Sequence, residues 1–232
     1  MNKILFAVGL IVLFALSAAG FEAPALTGRV VDQTGTLKPE EKESLEKKII
    51  EFEKKTRGQF VAALLAPVTD ASIEEVGIAL MDKWKIGHKG HDNGAILVLV
   101  PTDRKMRLEI GYGWEGPVND AKAGDILRLI TPPLKKNDYA GAVALAVDGL
   151  SAALANEPLP EIEEGGVDLE SIIAGLFFIL LIVAIVWFIP EKSSSRRRDS
   201  SDDGSSGSSG GGGGGFEGGG GSGGGGGASG SW

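Results

Sequence analysis

The spacing of apolar and polar residues between positions 30 and 154 predicts a series of helices and strands. The first predicted helix has Pro39 in its first turn and ends near Gly58. Its buried face consists of apolar residues three or four positions apart: Leu45, Ile49 and Phe52. The apolar run 59–65 then predicts a buried strand, and the pair 30–31 predicts a short edge strand before the helix.

The next stretch predicts a second helix followed by a hairpin. Ser72 and Glu75 form a capping box, and the apolar face of that helix recurs every four residues: Val76, Leu80 and Trp84. Residues 95–100 are uniformly apolar and predict a buried strand. A turn at 101–104 leads to residues 106–110, where apolar and charged residues alternate, so we expect this strand to expose one face to solvent.

Two further helices are predicted at residues 121–130 and 139–154, separated by the pair Pro132–Pro133. The helix between the first two long strands makes them parallel, with a right-handed connection, and the hairpin adds an antiparallel strand. We therefore predict an α/β fold with a small mixed β-sheet and helices on both faces, an α/β/α sandwich.

Both ends of the chain carry membrane-type signals. Residues 1–20 combine Lys3, an apolar core and small residues, which is typical of a signal peptide; an uncleaved anchor is the alternative. The apolar run 169–189 is long enough to cross a bilayer of about 30 Å, and the basic residues that follow it favour a cytoplasmic end. We expect a single-pass membrane protein with its folded domain on the periplasmic or extracellular side.

The segments around this predicted span are polar. Residues 155–168 form an acidic linker, and residues 190–232 are first basic and then rich in Gly and Ser. A segment of this composition cannot bury much apolar surface, so we expect a disordered cytoplasmic tail. The alternative is that Phe216 and Trp232 in this tail mediate association or docking on a partner.

Composition narrows the chemistry that the folded domain can perform. The formal net charge of −8 argues against nucleic acid as a partner. The chain has no Cys and only two His residues, which excludes thiol chemistry, Cys-ligated zinc and a three-His metal site.

Two polar loops are predicted to meet at one end of the hairpin. If its turn is centred near Asp103, paired residue numbers sum to about 205, which brings residues 91–94 beside residues 111–116. The oxygen-bearing side chains in and just after these loops are Asp92, Asn93, Glu115 and Asp120. Such a set suits a hard cation, Ca²⁺ or Mg²⁺. The alternative is that these residues are ordinary turn and helix-capping residues.

Three blocks of residues together resemble one family. They are Val31–Asp32 with Gly35 and Leu37; Asp82 to Gly87 with Asp92–Asn93–Gly94; and Arg107 to Gly116 with Asn119–Asp120. Over residues 27–154 they resemble the TPM domain, described as phosphatase-like. The signal peptide, single span and Gly/Ser-rich tail are similar to its bacterial membrane-anchored branch, which implies the bacterial cytoplasmic (inner) membrane. The resemblance also implies an acidic cation-binding groove containing Asp92, Asn93, Glu115 and Asp120, with Asp32 as a further candidate.

Two functions are compatible with these features. The first is a membrane-tethered, cation-binding interaction module that assists membrane-protein assembly or quality control through a protein partner. The alternative is a weak metal-dependent acid phosphatase-like hydrolase, in which a bound cation activates water. The sequence offers few groups that would clamp a phosphate, and it identifies no catalytic residue.

Overall fold

The computed structural model describes residues 21–160 and 216–232. Within these ranges the elements follow in this order: β1 (Val30–Asp32), α1 (Pro39–Thr56), β2 (Gln59–Leu64), α2 (Ile73–Trp84), β3 (Gly94–Val100), β4 (Lys105–Gly111), a short 3-10 turn (Tyr112–Trp114), α3 (Asp120–Lys135), α4 (Tyr139–Ala155) and β5 (Gly223–Ser231).

The five strands form one mixed sheet in the order β1-β2-β3-β4-β5. The first three strands are parallel, and β4 and β5 are each antiparallel to the strand before them. In the β3–β4 hairpin, Ala95 pairs with Ile110 and Leu97 with Leu108, so the predicted register, a sum of about 205, is confirmed.

Helices cover both faces of this sheet, as predicted. On one face, α1, α3 and α4 pack over apolar side chains of β1 to β4. On the other face, α2 packs over the alternate side chains, together with the segment 21–26. The predicted capping box of α2 is present, since Ser72 N–H donates to Glu75 (2.7 Å) and Glu75 N–H donates to the Ser72 hydroxyl (3.2 Å).

The two prolines do not separate helices, which corrects one prediction. Helix α3 runs from Asp120 through Pro132 and Pro133 and ends at Lys135. The left-handed residue that follows it is Asn137, with φ +59°. The prolines cost the helix two backbone N–H donors. Burial of Ile130, Pro133 and Leu134 nevertheless holds the last turn of the helix against the core.

The prediction that β4 exposes one face to solvent is wrong. Arg107 and Glu109 lie on the face covered by α2, where they are 5% and 0% exposed. These two charged side chains can be buried because they form an ion pair with each other.

The prediction of a disordered tail is also wrong where the structure describes it. Residues 216–232 are ordered on the domain, and β5 forms the edge of the sheet beside β4. The signal peptide 1–20, the apolar run 169–189 and the remainder of the tail lie outside the described residues. Among the helices that the structure does describe, none has the length and apolar character needed to cross a bilayer.

Candidate functional site

The hairpin brings the loops 88–94 and 111–120 together at the amino ends of the parallel strands. Gly113 N–H donates to the Asp92 carbonyl (3.0 Å), which fixes one loop against the other. Below them Trp114 is buried and meets Phe52 edge-to-face, with 5.9 Å between ring centroids. These contacts give the site a rigid floor.

Asp92 points to the C-terminal segment. One of its carboxylate oxygens accepts hydrogen bonds from the Ser222 N–H (2.9 Å) and the Ser222 hydroxyl (3.1 Å). A carboxylate that accepts two such bonds is a strong anchor for an extended chain. Asp92 therefore holds the point at which residues 216–222 lead into β5.

Asn93 has a local structural role. Its amide oxygen accepts from the His88 N–H (2.9 Å) and lies 3.1 Å from the His88 ring nitrogen, while its amide nitrogen donates to the Arg57 carbonyl (2.6 Å). Both ends of this side chain are thus occupied within the loops. Asn93 does not fit the role of a cation ligand in this arrangement.

Glu115 and Asp120 line an open cleft of about 540 Å³, together with Tyr112, Asn119 and residues 224–226. The Asp120 carboxylate accepts a hydrogen bond from the Gly227 N–H (3.1 Å). The cap of α3 is Asn119, whose side chain accepts from the Lys122 N–H (3.1 Å), so Asp120 is the first residue of the helix. Glu115 and Asp120 are the two carboxylates here that face a cleft.

Asp32 lies away from this cleft. It ends β1, and its pairing with Leu64 places it at the opposite end of the sheet from Gly94. Burial acts to raise its pKa, but hydrogen bonds from Leu37 and Thr34 outweigh this and hold the pKa below its ordinary value. In the described ranges, no group of three or more His, Cys, Asp or Glu side chains is placed to hold a metal ion.

The sequence suggested Phe216 and Trp232 only as residues for association or docking on a partner, and the structure places both on the chain's own domain. Phe216 is buried, with the Arg29 guanidinium 4.3 Å above its ring. The Gln59 side chain bonds the carbonyl of Glu217 (3.2 Å) and the N–H of Gly219 (2.7 Å). The segment therefore crosses the amino ends of the parallel strands before it turns into β5.

β5 fills a slot along β4. Residues 223–231 pair with 105–111, and Trp232 at the end donates its N–H to the Arg104 carbonyl (3.2 Å). The Trp232 ring meets Tyr139 edge-to-face, with 6.3 Å between centroids. The strand thus lies between an aromatic contact at Phe216 and another at Trp232.

Arg107 connects the buried charge pair to this strand. Its Nε donates to Glu109 (2.6 Å), while its two terminal nitrogens donate to the Ser229 hydroxyl and the Gly225 carbonyl, both at 3.0 Å. Burial raises the pKa of Glu109, although Arg107 opposes the shift. One Glu109 oxygen, Oε1, has no hydrogen-bond partner among the described residues. Arg107 therefore binds two positions of β5, Gly225 and Ser229.

Comparison with known proteins identifies the class to which this domain belongs. The family model for the TPM domain matches residues 30–153, and the chain belongs to that family. The solution NMR structure of the N-terminal domain of a protein from P. gingivalis is similar, with 26% identity, a TM-score of 0.51 and coverage of 56% of this chain and 84% of that chain. The NMR structure of the BA42 protein from Bizionia argentinensis matches at 17% identity and a TM-score of 0.48, over 54% of this chain and 86% of that one. No curated protein matches the chain.

Proposed function

We propose that this TPM domain is a strand-binding interaction module that serves the assembly or quality control of membrane proteins. The observation that carries the proposal is the docked segment 216–232, which lies in the groove between the two polar loops and then along β4. A groove that accommodates one extended segment of polypeptide has the shape and the hydrogen-bonding groups to accommodate another.

The contacts in the groove suit a polypeptide. Asp92 and Asp120 each accept a backbone N–H, and β4 supplies a ladder of backbone bonds along its edge. Backbone bonds of this kind provide affinity in β-strand addition, while pockets for side chains provide selectivity. Carboxylates that face N–H donors stabilise a bound peptide chain and repel a phosphate ester.

The proposal keeps the domain outside the cytoplasm on the signal-peptide features of residues 1–20, and attached to a bacterial cytoplasmic membrane through the apolar run 169–189, without the single crossing that would carry residues 216–232 into the cytoplasm. The proposed side of the membrane for residues 216–232 differs from the cytoplasmic side that the sequence predicted. Because β5 pairs with β4, residues 216–232 belong on the same side of a membrane as the domain.

A peptide-binding measurement tests the proposed function. The full-length chain carrying Gly227→Val, in which the tail no longer fits the slot, is titrated with a fluorescent peptide of residues 216–232. The control peptide carries the same Gly227→Val change. We expect the wild-type peptide to bind at least about tenfold more tightly than the control, a difference of about 1.4 kcal/mol. Equal binding of the two peptides, or none, would refute a strand-binding site.

A second candidate function is the binding of a divalent cation at the cleft, and the placement of Glu115 and Asp120 on its walls favours it. These two residues fit a cation better than Asn93, whose amide oxygen already accepts a hydrogen bond from the His88 N–H. The described residues that line the cleft include no Lys or Arg, so phosphate-ester hydrolysis there would require such a cation to neutralise charge.

Calorimetric titration of the full-length chain with Ca²⁺ and Mg²⁺ tests this second candidate. The comparison variant is Glu115→Gln with Asp120→Asn, which keeps the side-chain size and removes both charges. Binding by the wild type that is lost in the variant would support the site. Identical heats for the two proteins would exclude it.

A further inference from the structure

We propose that the slot along β4 also accepts the C-terminal segment of a second copy of this chain, so that the protein associates with itself by exchange of β5. This inference rests on the proposed strand-binding function, because it assigns the partner that the same groove takes. It is carried by the selectivity of the slot and by the binding of β5 through residues that every copy of the chain carries.

The slot excludes most side chains at one defined position. A Cβ at Gly227 would overlap the Leu108 carbonyl, and the backbone there has φ +132°, which side-chain-bearing residues rarely adopt. A Cβ at Gly224 would meet only the Tyr112 ring, which is 55% exposed and can move aside, so the exclusion rests on Gly227. A strand with a larger residue at position 227 cannot pair with β4 in this register.

The slot also makes positive selections. Ala228 packs against the core cluster that includes Leu108, and the Ser229 hydroxyl accepts from Arg107. A matching partner is therefore an extended segment with a glycine at position 227, a small apolar residue at 228 and a hydroxyl at 229.

Aromatic contacts at both ends set how far the segment extends. The Phe216 ring packs in a buried site beside Arg29, and the Trp232 ring packs against Tyr139. A partner must carry both rings at the same separation to make the full set of contacts. The one sequence shown to meet every requirement is residues 216–232 themselves, and every copy of the protein carries it.

An exchanged β5 makes the same contacts as a β5 bound to its own domain, because the residues of 21–160 that hold it are identical in every copy. The balance between the two forms then depends on the local concentration of neighbouring copies relative to the effective concentration of the chain's own tail. Copies confined to one membrane reach high local concentrations, which favours exchange there.

Disulfide trapping tests the exchange directly, since the chain has no Cys of its own. Lys105 and Ser231 are both exposed and lie opposite each other in the β4–β5 ladder, at a separation that a disulfide spans. One full-length chain carries Lys105→Cys, and a second chain with a different tag length carries Ser231→Cys. The two are reconstituted together in vesicles and oxidised.

We expect a disulfide-linked heterodimer that disappears when the Ser231→Cys chain also carries Gly227→Val. A third chain with both cysteines reports pairing within one molecule. If that chain closes its own disulfide and no heterodimer forms above the Gly227→Val background, exchange is refuted while strand binding stands. If neither disulfide forms, β5 does not occupy the slot and the proposed function fails with it.

Discussion

Gly227→Ala is the smallest change that should release β5 from the sheet. The residue has φ +132°, and an added Cβ would overlap the Leu108 carbonyl oxygen. Placing a side chain at positive φ costs roughly 1–2 kcal/mol. Moving the strand to relieve the overlap also breaks the bond from the Gly227 N–H to the Asp120 carboxylate. A hydrogen bond to a charged group is worth about 1.5–3 kcal/mol.

The two effects together destabilise the docked strand by about 3 kcal/mol or more, which corresponds to a rise of roughly a hundredfold in the undocked population. Hydrogen exchange of the full-length chain measures this population, through the amides of residues 223–231. Ser231→Ala is the matched control, because Ser231 is exposed at the end of the same strand. Unchanged protection of residues 223–231 in Gly227→Ala would refute the argument that the slot excludes a Cβ.

Three further changes test other parts of the structure. Phe216→Ala should weaken docking of the tail by about 3–5 kcal/mol, because it removes a buried ring beneath Arg29, and faster exchange of residues 217–222 would show it. Ser72→Ala should lower the free energy of unfolding by about 1 kcal/mol in a denaturant titration, through loss of the α2 cap. Asp32 has a lowered pKa, so the stability it contributes is present above its unfolded value of 3.8 and is lost as the pH falls through the folded value; Asp32→Asn should flatten this acid limb in pH-dependent thermal unfolding.

The hairpin shows what local sequence can determine. The turn around Asp103 sets the register of β3 and β4, and the alternation after it sets which residues face the larger core. The meeting of the loops 88–94 and 111–120 at one end of the sheet follows from that register. The neighbouring positions of these two loops were therefore predictable without knowledge of the other helices, whereas the cation site assigned to them stays a prediction.

β5 was not predictable in the same way. Its glycines show no apolar periodicity, and its pairing depends on the shape of a slot built by residues more than a hundred positions earlier. Arg107 and Glu109 were interpreted as a solvent-facing side of β4 because the groups that satisfy Arg107 lie in this distant segment. Alternating charge on a strand indicates solvent only when no polar partner covers it.

The role of each polar residue also depended on contacts that spacing does not reveal. Asn93 and Asp92 are neighbours in sequence, yet one closes its own loop and the other binds Ser222. Asp32 directly follows an apolar pair and was a candidate site residue, but its pairing with Leu64 places it at the far end of the sheet. Side-chain identity alone could not separate these cases.

The pairing of β4 with β5 limits how this chain can be attached to a membrane. A single crossing at residues 169–189 would place the domain and residues 216–232 on opposite sides, and a strand cannot pair across a bilayer with the edge of a sheet in solution. The same limit applies to exchange between copies that share one orientation. Any attachment compatible with β5 therefore leaves Phe216 on the side of the domain. The C-terminal segment then acts as a ligand of its own groove, and a matching strand must displace it to bind there.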